Sequence, residues 1–144
     1  MKRFDFVSGF EPLTKLPTRA TSGSSGYDFY APLDFEVKAG VEVLIPTGIR
    51  FITDEMVWLM CMPRSGLGFK YGVRLANTIG NIDSDYWKSD NEGHIMLKII
   101  ADKDFSIKRG DRIAQGVIVP YYIVDDDMPL SDTRNGGFGS TDKR

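Results

Sequence analysis

The 144-residue sequence is short of several things, and each shortage excludes a class of protein. It has one cysteine, Cys61, and one histidine, His94. A lone cysteine excludes an internal disulfide and a multi-cysteine zinc site. An excess of one charge is missing too, because 18 Lys and Arg against 20 Asp and Glu leave a net charge of −2. That balance argues against a dedicated duplex-binding surface, which would be basic, and leaves room for a local cluster around a small anion. No run approaches the roughly 18 unbroken apolar residues of a membrane helix. The opening MKRFDFVSGFEPL lacks the apolar core of a secretory signal. The expectation is a soluble, cytoplasmic protein of a reducing compartment, with no nucleic-acid and no membrane partner. Long stretches free of Gly and Pro are also absent. The longest runs from His94 to Arg109, 16 residues, so long helices are not expected.

What is present suits one domain with a real core, since 42% of residues are hydrophobic and 26% charged. Between the turn residues the apolar positions alternate. Val41, Val43 and Ile45 are spaced by two, Ile49 and Phe51 resume after Pro46-Thr47-Gly48, and Ile95, Leu97 and Ile99 alternate again. The unbroken run Met56–Met62 ends at Pro63 and is short enough for a buried strand. Ile113–Val124 is β-branched and aromatic, interrupted by Gly116 and Pro120. Helix-like content is confined to Ser65–Tyr71, two turns at most. Many short strands with frequent turns predict an all-β sandwich or barrel. No repeat or interdomain linker stands out. The last fourteen residues, SDTRNGGFGSTDKR, are almost free of apolar side chains and read as a flexible tail. The predicted division is a β domain over 1–130 and an arm over 131–144.

Five segments have the residue types that chemistry needs. Ser24-Ser25-Gly26-Tyr27-Asp28 places a carboxylate and a ring at the start of a strand. Pro63-Arg64-Ser65-Gly66 follows the buried run, with a guanidinium fork, a hydroxyl and free turn N–H groups, the parts of an anion cradle. Taken alone, it is also what an ordinary turn carrying a surface arginine looks like. Gly80-Asn81-Ile82-Asp83-Ser84-Asp85-Tyr86 has two carboxylates two residues apart, which share a face if the segment is a β-hairpin. One of them could hold a water as general base, or the segment is a polar hairpin with an Asx turn. Gly110-Asp111-Arg112-Ile113-Ala114-Gln115 opens a strand with an Asp and an Arg that can form a surface ion pair. In Arg134-Asn135-Gly136-Gly137-Phe138-Gly139-Ser140-Thr141, glycines flank a ring free to stack on another ring, beside hydroxyls and an arginine suited to phosphate. Three further features carry less. Asp125-Asp126-Asp127 reads as a solvated acidic loop, His94 as structural or exposed, and Cys61 as a small buried hydrophobe.

Taken in order, SSGYDF (24–29), PRSGL (63–67), GNIDSDY (80–86), GDRIAQ (110–115) and RNGGFGST (134–141) resemble the five motifs of the trimeric deoxyuridine triphosphatase (dUTPase) family. The resemblance spans almost the whole chain. It implies a jelly-roll-like β-barrel assembled as a homotrimer with sites shared between subunits. The implied reaction is hydrolysis of dUTP to dUMP and pyrophosphate with Mg2+, which limits uracil in DNA and supplies dUMP for dTTP synthesis. By the same resemblance Asp83 activates the attacking water, and Arg64 and Gln115 act on the phosphates with Ser65 and Gly66. Asn77, Gly80, Asn81, Ile82 and the backbone of Met96 frame the uracil. Tyr86 packs under the deoxyribose. Phe138 caps the base, while Arg134, Gly137, Gly139, Ser140 and Thr141 close on the terminal phosphates. Asp28 meets the metal through water, and Asp111 orients an arginine.

This sequence departs from the family pattern in three places. Ser25 stands where alanine is usual. Trp87-Lys88-Ser89-Asp90-Asn91-Glu92 precede Gly93 where Arg-Gly is common, which reads as a lengthened hairpin. The chain also ends in Asp142-Lys143-Arg144 rather than in glycine. The rival reading is a dCTP deaminase, alone or bifunctional, on the same fold. A regulatory protein partner, gated by ligand and docked through residues 87–92, is a reading from a different class.

Overall fold

A computed structural model describes residues 1–134. Eleven strands and one short helix occur in this order: β1 (Lys2–Phe6), β2 (Gly26–Tyr30), β3 (Phe35–Val37), β4 (Val43–Pro46), β5 (Ile49–Thr53), β6 (Val57–Pro63), α1 (Ser65–Tyr71), β7 (Arg74–Leu75), β8 (Gly80–Ile82), β9 (Met96–Ile100), β10 (Phe105–Ile107) and β11 (Arg112–Pro120). A single 3-10 turn, Tyr86–Lys88, lies between β8 and β9. All pairing is antiparallel, in sheets of order β1-β5, β10-β3, β2-β11-β6-β8 and β4-β9-β7.

The fold is all-β and jelly-roll-like, as expected, but the ladders of the described residues do not close into a barrel. The strands are short, and partners change at nearly every turn. Gly48 (φ 75°), between β4 and β5, makes one such change. The register slip between Arg112 and Ala114 in β11 interrupts another. No helix among the described residues is long and apolar enough to cross a membrane.

Alternation in the sequence becomes alternation in burial. In β6, Val57, Leu59 and Cys61 point into the core, while Trp58, Met60 and Met62 are half-covered on the other face. In β9, Leu97 and Ile99 are buried and Lys98 is exposed. Each fully buried Leu, Ile or Phe contributes about 1.5–3 kcal/mol. Phe4 packs against Tyr27, Phe29 and Phe51, with ring centroids 5.3, 6.0 and 5.5 Å away. Gly116 sits where β11 passes over this core. A Cβ there would lie 3.0 Å from Leu59 Cδ1 and 3.1 Å from Phe29 Cε2. Cys61 is a buried small hydrophobe, and burial pushes its thiol up to about 12.

The predicted two-turn helix falls where the sequence places it, at Ser65–Tyr71. Tyr71 stacks on Phe105 at 4.2 Å, and Gly72, in the left-handed region at φ 66°, ends the helix. The last strand stops at Pro120, one of the two interruptions in the 113–124 segment, and Tyr122, Ile123 and Val124 are exposed. One other expectation is corrected. Residues 80–93 do not form a β-hairpin. The strand ends at Ile82, because the chain turns through Ser84-Asp85 into the 3-10 turn and Tyr86 plunges into the interior.

Candidate active site

β8 is three residues long and has a cavity on each side. Gly80 and Ile82 are buried and line one cavity, and Asn81 faces the other.

The first cavity has a volume of about 440 Å³. It brings together Asn77, Gly80, Ile82 and Met96, all predicted for base recognition, with Leu44, Leu75 and Ala76. That volume suits a small planar ring with room to spare. The connection from β7 is tight. Thr78 N–H donates to Leu75 O (3.0 Å) and Ile79 N–H to Asn77 O (2.8 Å), and Thr78 holds φ 70°, unusual for a β-branched residue. Sequence patterning gives no sign of that conformation, which aims the Asn77 segment at the cavity. Gly80 carries no Cβ because one would stand 3.0 Å from Cys61 Cβ.

The second cavity, about 420 Å³, is lined by Asn81, Asp83, Ser84 and Asp85, with Trp58 and Tyr121. Asp83 and Asp85 share a side, as expected, though the turn rather than a strand puts them there. Arg134 lies between them, its Nε donating to Asp85 Oδ1 (2.9 Å) and its Nη2 to Asp83 Oδ2. The arginine is well covered and the two carboxylates are about half exposed. Trp58 and Tyr121 are missed by the sequence reading. The half-covered face of β6 is the signal that could have found Trp58.

Tyr86 is buried and offers only a sliver of its ring to a ligand. Its hydroxyl donates to His94 O (2.6 Å) and accepts from Asn91 Nδ2 (2.9 Å). Burial raises its pKa, and the Asn91 bond opposes that rise. His94 is structural, as expected. Its Nε2 accepts the Gly48 N–H (2.9 Å), and desolvation lowers its pKa.

A third cavity, about 510 Å³, lies between the start of α1 and the start of β11. Arg64, Gly66, Lys70 and Arg112 are among its walls. Ser65 and Gly66 are exposed at the first turn of α1, and Arg64 makes no side-chain cap there. Asp28 orders the guanidinium groups, with Oδ1 3.2 Å from Arg64 Nε and Oδ2 3.7 Å from Arg112 Nη1. Its backbone is held by paired hydrogen bonds with Thr18. The arginine-orienting carboxylate is therefore Asp28. Asp111 instead accepts the Lys108 N–H (2.8 Å) and closes its own turn. Gln115, opposite Asp28 in the ladder, donates to Pro63 O (3.3 Å) beside Arg64. Its side chain fills the space that a Cβ on Gly26 would occupy.

Within one chain these clusters stay apart. Gln115 is paired with Met62, whereas Asp83 shares its cavity with Trp58, four residues back along β6. At 3.3 Å per residue that is about 13 Å. Gly137, Phe138, Gly139, Ser140 and Thr141 lie outside the described residues.

A ring-sized cavity and an arginine-lined anion cradle, with a carboxylate pair able to act on water, describe an enzyme for a phosphorylated heterocycle. Comparison with known proteins narrows that class. Residues 13–142 match the family model described as dUTPase, so the chain belongs to the dUTPase family. It is 44% identical over 138 residues to the deoxyuridine 5'-triphosphate nucleotidohydrolase of Haemophilus ducreyi, covering 90% of this chain and 88% of that one. The enzyme of the same name from Glaesserella parasuis is 43% identical over the same shares. The solved dUTPase of Streptococcus mutans superposes with a TM-score of 0.77 at 33% identity, covering 85% of this chain and 98% of that one.

Proposed function

We propose that the protein hydrolyses dUTP to dUMP and pyrophosphate by in-line attack of water at the α-phosphorus, limiting uracil in DNA and supplying dUMP for dTTP synthesis. The observation that carries this reading is β8, which has a base-sized cavity on one side and a carboxylate pair on the other. A bound uracil would be read by Asn77 and by the backbone of Asn81, Ile82 and Met96. Asp83 would take the proton of the attacking water. Arg64, Ser65, Gly66 and Gln115 would hold phosphate oxygens and stabilise charge moving onto the leaving pyrophosphate. Arg134, held by Asp83 and Asp85 in the free chain, would exchange those carboxylates for the terminal phosphates when nucleotide enters. Phe138 and its glycine-flanked neighbours would close over the base, as an arm (131–144) on a β domain (1–130).

Mg2+ belongs to this reading, and the residues fit it in one way. Among the described residues no three His, Cys, Asp or Glu side chains gather as a metal cage. Asp28 is a single carboxylate already balanced by two guanidinium groups. That donor set suits an ion held mainly by phosphates and waters, with Asp28 reached through water. When bound, the ion would neutralise phosphate charge and straighten the triphosphate.

A homotrimer with shared sites is part of the proposal. The span of roughly 13 Å along β6, from the position beside Gln115 to the one beside Asp83, favours a site completed by another copy. So does the exposed apolar run of Tyr122, Ile123, Val124, Met128 and Leu130. The test is pyrophosphate release across dUTP, dCTP, dTTP and UTP, with and without Mg2+. Turnover of dUTP alone is expected. Asp83→Asn should keep nucleotide binding and reduce turnover by about 10²–10⁴. Ammonia release from dCTP would place the chain with the deaminases instead.

A further inference from the structure

We infer that Arg50 is a positioning residue for catalysis. It fixes the turn that carries Asp83 by clamping the inserted segment 87–92, and the inference rests on the reading of Asp83 as the base. Arg50 projects from β5 and is partly buried. Its Nε donates to Glu92 O (2.7 Å) and its Nη2 to Trp87 O (2.7 Å). These two carbonyls bracket the insertion, so one planar group holds both of its ends. Further along the same strand, Thr53 O accepts the Trp87 indole N–H (3.0 Å), so β5 grips the segment at two points.

The segment itself is built, not slack. Glu92 holds φ 62°, and its carboxylate accepts the Ser8 hydroxyl (2.9 Å). Gly93 holds φ 70°, where a Cβ would stand 2.4 Å from Trp87 Cα. Asn91 reaches back to the Tyr86 hydroxyl (2.9 Å), and Tyr86 N–H donates to Asp83 O (3.1 Å). A continuous set of short bonds therefore runs from Arg50 through Trp87 and Tyr86 to the backbone of Asp83. A non-glycine residue in the left-handed region persists only where its surroundings over-determine it. Here the insertion's contacts reach the turn behind Asp83 through Tyr86.

The fork of Arg50 matters more than its charge, because two carbonyls in fixed directions need two coplanar donors, which lysine lacks. Arg50→Lys should therefore lower kcat for dUTP by about tenfold or more while KM stays within about threefold. Misplacing a base acts on the transition state, and the two carbonyls that Arg50 holds belong to residues outside the lining of the ring cavity. Rates are normalised to active sites by stoichiometric nucleotide binding, so a smaller folded fraction does not imitate the effect. The decisive comparison repeats Arg50→Lys on Asp83→Asn, in single turnover. With the base gone, the lysine should change the residual rate by less than about twofold. Equal losses on both backgrounds, or an unchanged kcat in the single variant, would overturn the inference. Full activity of Asp83→Asn would instead overturn the assignment of the base. If Arg50→Lys does not fold, Trp87→Phe, which keeps an aromatic ring beside Arg50 and removes the bond to Thr53 O, takes its place. A lower kcat with steady KM supports the clamp, and wild-type kcat refutes it.

Discussion

Lowering the pH tests the buried imidazole at the back of the site. His94 Nε2 accepts the N–H of Gly48 at 2.9 Å, so the native ring is neutral and carries its proton on Nδ1. Phe10 packs edge-on against it with centroids 5.0 Å apart. Burial lowers the pKa from 6.5, and the charge of Glu92 opposes that shift without reversing it. Above pH 6.5 both the folded and unfolded chains hold a neutral ring, and this site takes nothing from stability. Below pH 6.5 the unfolded chain gains a proton that the native chain refuses, so stability falls as pH drops toward the lowered folded value. One proton limits the slope to about 1.4 kcal/mol per pH unit, or at most about 2 kcal/mol between roughly pH 6.5 and 5. Protonation of the native ring would also leave the Gly48 N–H facing another donor, a loss of about 1–3 kcal/mol. His94→Gln supplies an amide oxygen for that N–H and does not titrate. Denaturant unfolding from about pH 7.5 to 5, at one protomer concentration, should give nearly equal stabilities for the two proteins at the upper end. At about pH 5 the variant should have lost less stability than the wild type, by no more than that one-proton limit. Carboxylates titrate alike in both and cancel in the difference. Parallel curves for the two proteins would refute the reasoning.

Two further predictions concern the site. Gly26→Ala brings a methyl group within 2.2 Å of Gln115 Oε1 and 3.3 Å of its Cβ. The amide should swing off Pro63 O, lowering kcat several-fold for a stability loss of about 1 kcal/mol, read by paired kinetics and melting. Deleting residues 132–144 should leave folding intact and catalysis crippled. No side chain from Tyr122 to Thr133 is buried, so a truncated chain that loses its β-sheet circular dichroism would mean the tail is structural.

Much of the fold was legible because apolar spacing and burial are directly linked. The 95–99 alternation became β9, the 56–62 run became β6, and the glycine-bounded Ser65–Tyr71 became the one helix of the described residues. The IDSDY segment misled for a physical reason. Alternation over five residues fits a strand or a turn equally, and long-range contacts chose the turn. Tyr86 finds the carbonyl of His94 indoors, and Arg50, from a strand much earlier in the chain, holds the neighbouring Trp87 carbonyl. Arg50 itself was invisible because its partners are backbone carbonyls, which leave no trace in a side-chain pattern. The contact of Arg134 with Asp83 and Asp85 and the left-handed Thr78 were hidden likewise, since both depend on how distant segments meet. Which strands pair was hidden too, because hydrogen-bond partners, unlike hydrophobic faces, are not written in composition.

The brevity of β8 carries an evolutionary corollary. A partition wall three residues thick assigns each position to one chamber or the other by parity alone. One residue gained or lost within it would exchange the chambers that the Gly80, Asn81 and Ile82 positions face. Beyond Tyr86 the chain has left the strand, and that parity no longer constrains its length.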